Sequence, residues 1–301
     1  MPGRDTVELR RVLAAELPGV RVREWPEIDA PDEVRMAVVW NHPPGSLGVF
    51  SNLELVCSYG AGVDHLLRDS DLPQNVEVVR VVDPQLVQDM VEYVVSVAGA
   101  HHRGFGLYRQ LQREGRWAPR DYSRSPRALV LGLGELGGAV ARALASLGWR
   151  VDGWSRSARV VEGVDSKVGR EALEASMADA ELVVCLLPLT PATDGLVDRA
   201  LLARMRPDAL LVNVGRGRLV VEADLLEALD NGRPGRAWLD VFAHEPLPPD
   251  HPFWTHPLVT VTPHVASLTD PAAAARLVAD VWRRLDRGEP QPHRVDPRRG
   301  Y

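Results

Sequence analysis

The sequence predicts an α/β protein built from two doubly wound parallel-sheet domains, and three observations carry that prediction. Short β-branched apolar runs alternate with helical patterns from residue 20 onward. The alternation comes in two series, parted by the charged, Pro-containing stretch Gly115 to Arg127. A Gly-x-Gly-x-x-Gly pattern stands where the first strand of the second series meets a helix.

The first series opens with a helix. Asp5 is its expected N-cap with Glu8 three residues on, Leu9, Val12, Leu13 and Leu17 form its apolar stripe, and Pro18-Gly19 ends it. Strands are expected at Val20 to Val22, Met36 to Trp40, Leu55 to Ser58 and Val76 to Val81. A long Val-rich helix, opened by Pro84 behind Asp83, leads away. The second series predicts strands at Ala128 to Leu131, Arg150 to Trp154, Leu182 to Leu187, Ala209 to Val214, Arg236 to Asp240 and Val259 to Thr262. The last helix, capped by Asp270 and ended at Gly288, follows the sixth strand and is free to pack back on the first unit. The chain shows no internal repeat and no low-complexity tract.

Composition narrows the function. The chain has 301 residues, 45% of them hydrophobic and 25% charged, which describes a globular protein of one large or two ordinary domains. The longest stretch without Asp, Glu, Lys or Arg, His251 to Thr269, carries three His and three Pro, so no membrane span is expected. The first residues lack the apolar core of a signal peptide, and a cytoplasmic location is expected. Basic residues number 35 against 41 acidic ones, a net charge of -6 without long basic blocks, which disfavours nucleic acid or an anionic membrane as partner. Cys57 and Cys185 both sit in apolar runs and read as buried thiols, with neither a disulfide framework nor a metal cluster in view. Lys167 is the sole lysine and lies in a polar stretch, which disfavours Schiff-base chemistry.

The glycine pattern is Gly132-Leu133-Gly134-Glu135-Leu136-Gly137. In a dinucleotide site Gly132 permits the tight turn, Gly134 lets the backbone approach a diphosphate, Gly137 lets helix and sheet pack closely, and the helix start at Glu135 and Leu136 receives the anion. The competing reading is a Gly-rich turn of another α/β protein. An NAD site usually ends its second strand in an acidic residue that holds the ribose. Here Asp152 lies mid-strand, and the strand edge carries Ser155, Arg156 and Ser157, a hydroxyl and a fixed cation suited to a 2′-phosphate. NADP is therefore the expected cofactor, with NAD possible; the alternative is that Arg156 is simply a solvated arginine.

Ligands of parallel α/β sheets bind beyond the carboxyl ends of the strands. There the sequence places Asn213-Val214-Gly215-Arg216-Gly217, Asp240 to Pro246, and Thr262-Pro263-His264-Val265. Arg216 can grip a carboxylate and polarise a carbonyl, and His264 can protonate the carbonyl oxygen as a nicotinamide hydride arrives. Glu245, bonded to that imidazole, would favour its charged form and raise its pKa above about 6.5. His244 competes with His264 for this role, and Glu245 could instead cap a turn. In the first series, Gly60-Ala61-Gly62 follows a strand and forms either an amide nest for a carboxylate or an ordinary strand-to-helix turn. Trp40-Asn41-His42-Pro43-Pro44 is a weaker candidate for the same cleft.

Taken together, Gly60 to His65, the GLGELG fingerprint, Leu187-Pro188-Leu189-Thr190-Pro191, Asn213 to Gly217, Leu239 to Pro246 and Thr262 to Ala266 resemble the D-isomer-specific 2-hydroxyacid dehydrogenases. The Trp154 to Ser157 turn, Glu245 to Pro249 and the ending Val295 to Tyr301 are most similar to the bacterial glyoxylate/hydroxypyruvate reductases of the A type. The resemblance implies Rossmann-like domains: a discontinuous, flavodoxin-like substrate domain of residues 1–98 and 271–301, and a dinucleotide-binding domain of residues 99–270. It implies Arg216, Glu245 and His264 as the catalytic set, and cofactor contacts at Leu187, Pro188, Thr193, Val214 and Asp240. It places the substrate carboxylate at Gly60, Ala61 and Gly62, with Arg216 and His264 also on the substrate. It further implies a homodimer. The expected activity is reduction of glyoxylate or hydroxypyruvate with NADPH, against two alternatives: a bulkier 2-keto acid with NAD, or a nucleotide-sensing binding protein on the same fold.

Overall fold

A computed structural model describes residues 6–296. The expected cap Asp5 and the tail beyond Asp296 lie outside the described residues. The strands are β1 (Met36–Val39), β2 (Leu55–Ser58), β3 (Glu77–Arg80), β4 (Arg127–Leu131), β5 (Arg150–Trp154), β6 (Val164–Lys167), β7 (Leu182–Cys185), β8 (Leu210–Asn213), β9 (Arg236–Leu239) and β10 (Val259–Val261). They form two parallel sheets, ordered β1-β2-β3 and β10-β9-β8-β7-β4-β5-β6. The chain up to Leu86 and from Leu268 forms one compact unit, and Val87–Ser267 forms the other.

In the first unit, side-chain alternation along the strands separates two cores, because successive residues of a strand face opposite ways. Leu55, Cys57 and Val79 pack with Leu9, Val12 and Leu13 of helix Thr6–Glu16 and with Ala274, Ala275 and Val278 of helix Pro271–Arg287. Val39, Val56 and Val78 pack with Leu47, Phe50 and Leu66 on the other face. Asp270 caps the C-terminal helix by accepting the Ala273 amide at 2.7 Å, and Gly288 ends it in the left-handed conformation at φ 66°. The expected strand Val20–Val22 does not form. The Val20 amide closes a turn on the Leu17 carbonyl, and Val20 and Val22 lie on the helix-side core as irregular chain.

The second unit repeats the principle at larger scale. Leu129, Val183 and Leu211 face one core with Leu173 and Met177 of helix Arg170–Asp179. Val130, Val184 and Val212 face another with Val140 and Leu144 of helix Glu135–Ser146 and Met90, Val94, Val97 and Ala98 of helix Pro84–His102. That last set explains why packing divides the chain at Leu86, whereas the sequence suggested a boundary at residue 98 inside this helix. The second division lies at Ser267, just short of the expected residue 270.

The sheet has seven strands where six were expected, because Val164–Lys167 adds β6 beside β5. An edge strand of the pattern Val-Asp-Ser-Lys, with no fully buried residue, carries little hydrophobic signal, and its lysine suits an exposed edge. Cys57 and Cys185 are wholly buried, and burial pushes both thiols up to about 12, which leaves them inert as nucleophiles. Among the described residues no helix is long and apolar enough to cross a membrane.

Leu144→Ala, which opens a cavity at a fully buried position, is expected to lower unfolding free energy by about 2–5 kcal/mol. Leu147→Ala, at a position 61% exposed, should stay within about 0.5 kcal/mol of the parent in the same urea titration.

Candidate active site

The order of the large sheet fixes where a dinucleotide can bind. From the neighbours β4 and β7 the chain winds outward in opposite directions, toward β6 on one side and β10 on the other. A crevice opens beyond the carboxyl ends at such a reversal. Gly132 and Leu187 flank it. Gly132 has φ +106°, and a Cβ there would lie 2.7 Å from the Leu186 carbonyl oxygen. A Cβ on Gly137 would lie 1.8 Å from the Gly132 carbonyl oxygen, so the helix could not approach the strand with any larger residue. A Cβ on Gly134 would meet nothing within 4 Å. The first and third glycines are thus demanded by protein packing, and the second borders open space at the start of helix Glu135–Ser146. Gly134 brings no side chain to cap that helix, so its first amides remain suited to an anion. The residues present fit a dinucleotide diphosphate.

At the end of β5 the buried Ser155 donates its hydroxyl to the Ser157 carbonyl at 2.7 Å, which shapes the turn that exposes Arg156 and Ser157. Asp152 points elsewhere: Ser176 Oγ donates to it at 2.6 Å, and Lys167 Nζ lies 3.9 Å away. After β7, Leu187 is buried and Thr193 ties its own turn, its hydroxyl donating to the Pro188 carbonyl at 2.6 Å and accepting the Thr190 amide at 2.8 Å.

The loops after β8, β9 and β10 lie side by side because these strands are neighbours. A Cβ on Gly217 would fall 1.9 Å from the Phe242 carbonyl carbon, so the Arg216 loop meets the Glu245 loop backbone to backbone. Asn213 holds the Arg216 loop from below, donating to the Arg216 carbonyl at 3.0 Å. Val214, buried, opens that loop. Glu222 accepts the Ala243 amide at 2.9 Å and steadies the next one.

Glu245 Oε1 accepts the Phe242 amide at 3.0 Å, and Oε2 lies 2.7 Å from His264 Nδ1. Burial works to raise the Glu245 carboxyl, but the bond to His264, that ring's charge, the Phe242 amide and nearby Arg216 outweigh it and hold the carboxyl below its ordinary value. An ionised carboxylate only accepts, so Nδ1 carries a hydrogen toward Glu245 and Nε2 is left for a reacting group. The structure therefore joins His264 with Glu245, while His244 is exposed.

His264 has a left-handed backbone, φ 56°, an uncommon conformation for a residue with a side chain. Its amide donates to the Asp240 carbonyl at 2.8 Å. The Asp240 side chain, 1% exposed, accepts Thr262 Oγ1 at 2.6 Å and the Val265 and Ala266 amides at 2.9 Å each. The family resemblance implied Asp240 as a cofactor contact; its carboxylate also organises the His264 loop. Glu222 was missed, since nothing local distinguishes its polar atoms from those of any amphipathic side chain.

In the first unit, a Cβ on Gly60 would lie 2.8 Å from Trp40 Cζ3, so this glycine admits the indole. Trp40 in turn rests 4.9 Å, centroid to centroid, from His65. Ser58 Oγ donates to the Gly62 carbonyl at 2.7 Å and Arg80 Nη1 to the Ala61 carbonyl at 3.3 Å, which fixes the Gly-Ala-Gly turn and sets a cation beside it. Among the described residues no group of three or more His, Cys, Asp or Glu is placed to hold a metal ion.

Residues 95–266 match the family described as D-isomer specific 2-hydroxyacid dehydrogenase, NAD binding domain. The chain belongs to this family. It is 39% identical over 297 residues to a glyoxylate/hydroxypyruvate reductase A of Serratia proteamaculans, covering 96% of this chain and 94% of that protein. A D-isomer specific 2-hydroxyacid dehydrogenase of Xanthobacter autotrophicus Py2, solved with NADPH and MES, is 42% identical with a TM-score of 0.93, covering 100% of this chain and 98% of that one. An NADPH-dependent glyoxylate/hydroxypyruvate reductase of Sinorhizobium meliloti, solved with NADP and sulfate, is 38% identical with a TM-score of 0.90, covering 98% and 96%. By family, the protein is an NAD(P)-dependent 2-hydroxyacid dehydrogenase.

The ion pair of this dehydrogenase has a pH signature. Because the folded Glu245 carboxyl titrates below its ordinary 4.5, its contribution to stability is present above that pH and lost as pH falls through the folded value. The stability advantage of the parent over Glu245→Gln, expected to stay under about 1 kcal/mol for a pair one-third exposed, should therefore shrink below pH 4.5 in urea titrations at stepped pH. A pH-independent difference would contradict the pairing.

Proposed function

We propose that this dehydrogenase reduces a small 2-keto acid, glyoxylate or hydroxypyruvate, to the D-2-hydroxy acid with NADPH as the favoured cofactor. The observation that carries the reading is the 2.7 Å pairing of His264 Nδ1 with Glu245, beside Arg216, at the carboxyl ends of three neighbouring strands. A reduced nicotinamide, when bound, supplies the hydride to the carbonyl carbon. As the carbonyl π electrons move onto oxygen, His264 Nε2 gives up its proton to that oxygen, and Glu245 stabilises the imidazolium beforehand. Arg216 bonds the substrate carboxylate and carbonyl oxygen with its fork of donors.

The helix start from Gly134 to Gly137 would hold the diphosphate, and Arg156 and Ser157 the adenosine 2′-phosphate, on the turn that the Ser155 hydroxyl ties to the Ser157 carbonyl. Support for NADPH comes from the turn after β5, where Asp152 is engaged by Ser176, and from the NADP-bound relatives. Support for the substrates comes from the names of the relatives.

The deciding measurement is absorbance of NADPH and NADH during incubation with glyoxylate, hydroxypyruvate, pyruvate and bulkier 2-keto acids. Preferential turnover of the two small acids with NADPH is expected; turnover confined to bulky acids with NADH would replace this reading, and no consumption would end it. His264→Gln should lower kcat by about 10²- to 10⁴-fold with cofactor affinity near that of the parent. Arg156→Ala should weaken NADPH by roughly 10- to 100-fold and NADH little, whereas equal losses would remove the 2′-phosphate assignment.

A further inference from the structure

The hydrogen bonds that reach Asp240 extend into a chain whose direction leaves no choice. Thr262 Oγ1 lies 2.6 Å from Asp240 Oδ1 and 2.5 Å from the Tyr93 hydroxyl, and Trp238 Nε1 lies 2.8 Å from that same hydroxyl. An ionised carboxylate accepts only, so the single Thr262 hydrogen goes to Asp240. Thr262 must then accept from Tyr93, and Tyr93, its hydrogen spent, accepts from the indole N–H, which can only donate. The series runs Trp238 to Tyr93 to Thr262 to Asp240, each bond polarising the next. It ends on the carboxylate that holds the Val265 and Ala266 amides, one and two residues past His264.

We propose that Tyr93 is a positioning residue for the reaction: its hydroxyl, acting through Thr262 on Asp240, fixes the loop that presents the His264 imidazole. The role rests on the reading of His264 as proton donor. Tyr93 is suited to it in a way phenylalanine is not, because the ring alone could fill the space between helix Pro84–His102 and the sheet. Burial and the nearby Asp240 charge raise the phenol above its ordinary value against the opposing pull of Thr262 and Trp238, so the group stays a donor across the working pH range. The geometry at the far end explains the need. His264 occupies a left-handed backbone, and an extended alternative would swing its ring off Glu245.

The test compares Tyr93→Phe, Thr262→Val, Thr262→Ser and the double variant Y93F/T262V in the full chain. Y93F should lower kcat about fivefold to tenfold while KM for NADPH stays within about twofold. T262V should lose at least as much, T262S should recover most of that loss by restoring the hydroxyl, and the double variant should be no slower than T262V, since both act on one path. In the protein without cofactor, amide hydrogen exchange read by NMR should speed up at Val265 and Ala266 in Y93F and T262V and stay near the parent in T262S. Unchanged kcat and exchange in Y93F, or losses that multiply in the double variant, would overturn the proposal. If the parent reduces no keto acid, the proton-donor reading fails by itself, and the exchange experiment still decides whether Tyr93 governs the loop.

Discussion

A parallel sheet covered on both faces has no interior side chain available to a ligand, and that constraint sets the whole arrangement of this protein. Leu129, Val130, Val183, Val184, Leu211 and Val212 are fully buried, three toward each core. Chemistry can begin only where a strand stops. Gly132, Ser155, Leu187, Val214, Asp240 and Thr262 are each the first or second residue beyond β4, β5, β7, β8, β9 and β10. Loops on that edge must still touch one another closely, which Gly132, Gly137 and Gly217 allow by leaving no Cβ where a neighbouring backbone already lies.

Two carboxylates divide the work of holding His264. Asp240 is buried, and a buried charge is costly unless its oxygens are filled; three donors fill them, all from the one loop that carries the histidine. Glu245 is partly open to solvent and splits its oxygens between the Phe242 amide and the imidazole. The first fixes the path of the backbone, and the second fixes the ring and its tautomer. Either alone would leave a degree of freedom at the nitrogen assigned to proton transfer.

What the sequence made legible follows from the same constraint. A continuous apolar run followed by glycine, a charged residue or histidine marks a strand end with chemistry, and Gly132, Arg216, Glu245 and His264 were singled out by that position. Contacts between segments distant in sequence leave no such trace. Tyr93 reaches Thr262 across 169 residues, and Asp240 reaches Ala266 across 26, so the first looked like one more residue of an apolar helix and the hold of the second on the His264 loop was not visible. Val20–Val22 shows the opposite failure. Its β-branched residues gave a strand signal, yet the turn on Leu17 and packing on the helix-side core took those residues without a ladder.

The strand that was hardest to see bears on the question the sequence left open, which dinucleotide the β5 edge suits. With β6 paired to β5, Lys167 stands in register with Trp154 and brings its amine to Asp165 and toward Asp152. Helix Arg170–Asp179 covers the same side and delivers the Ser176 hydroxyl to Asp152. Asp152 is thereby engaged sideways, in mid-strand, and the backbone of Ser155 is tied to the Lys167 carbonyl at 3.2 Å as the chain leaves the sheet. A ribose hydroxyl at the end of β5 would meet no carboxylate from that strand, whereas a phosphate there would face the exposed Arg156 guanidinium and Ser157 hydroxyl. The edge strand, with scarcely any apolar residue of its own, thus turns Asp152 away from the end of β5, an arrangement in keeping with the cofactor proposed above.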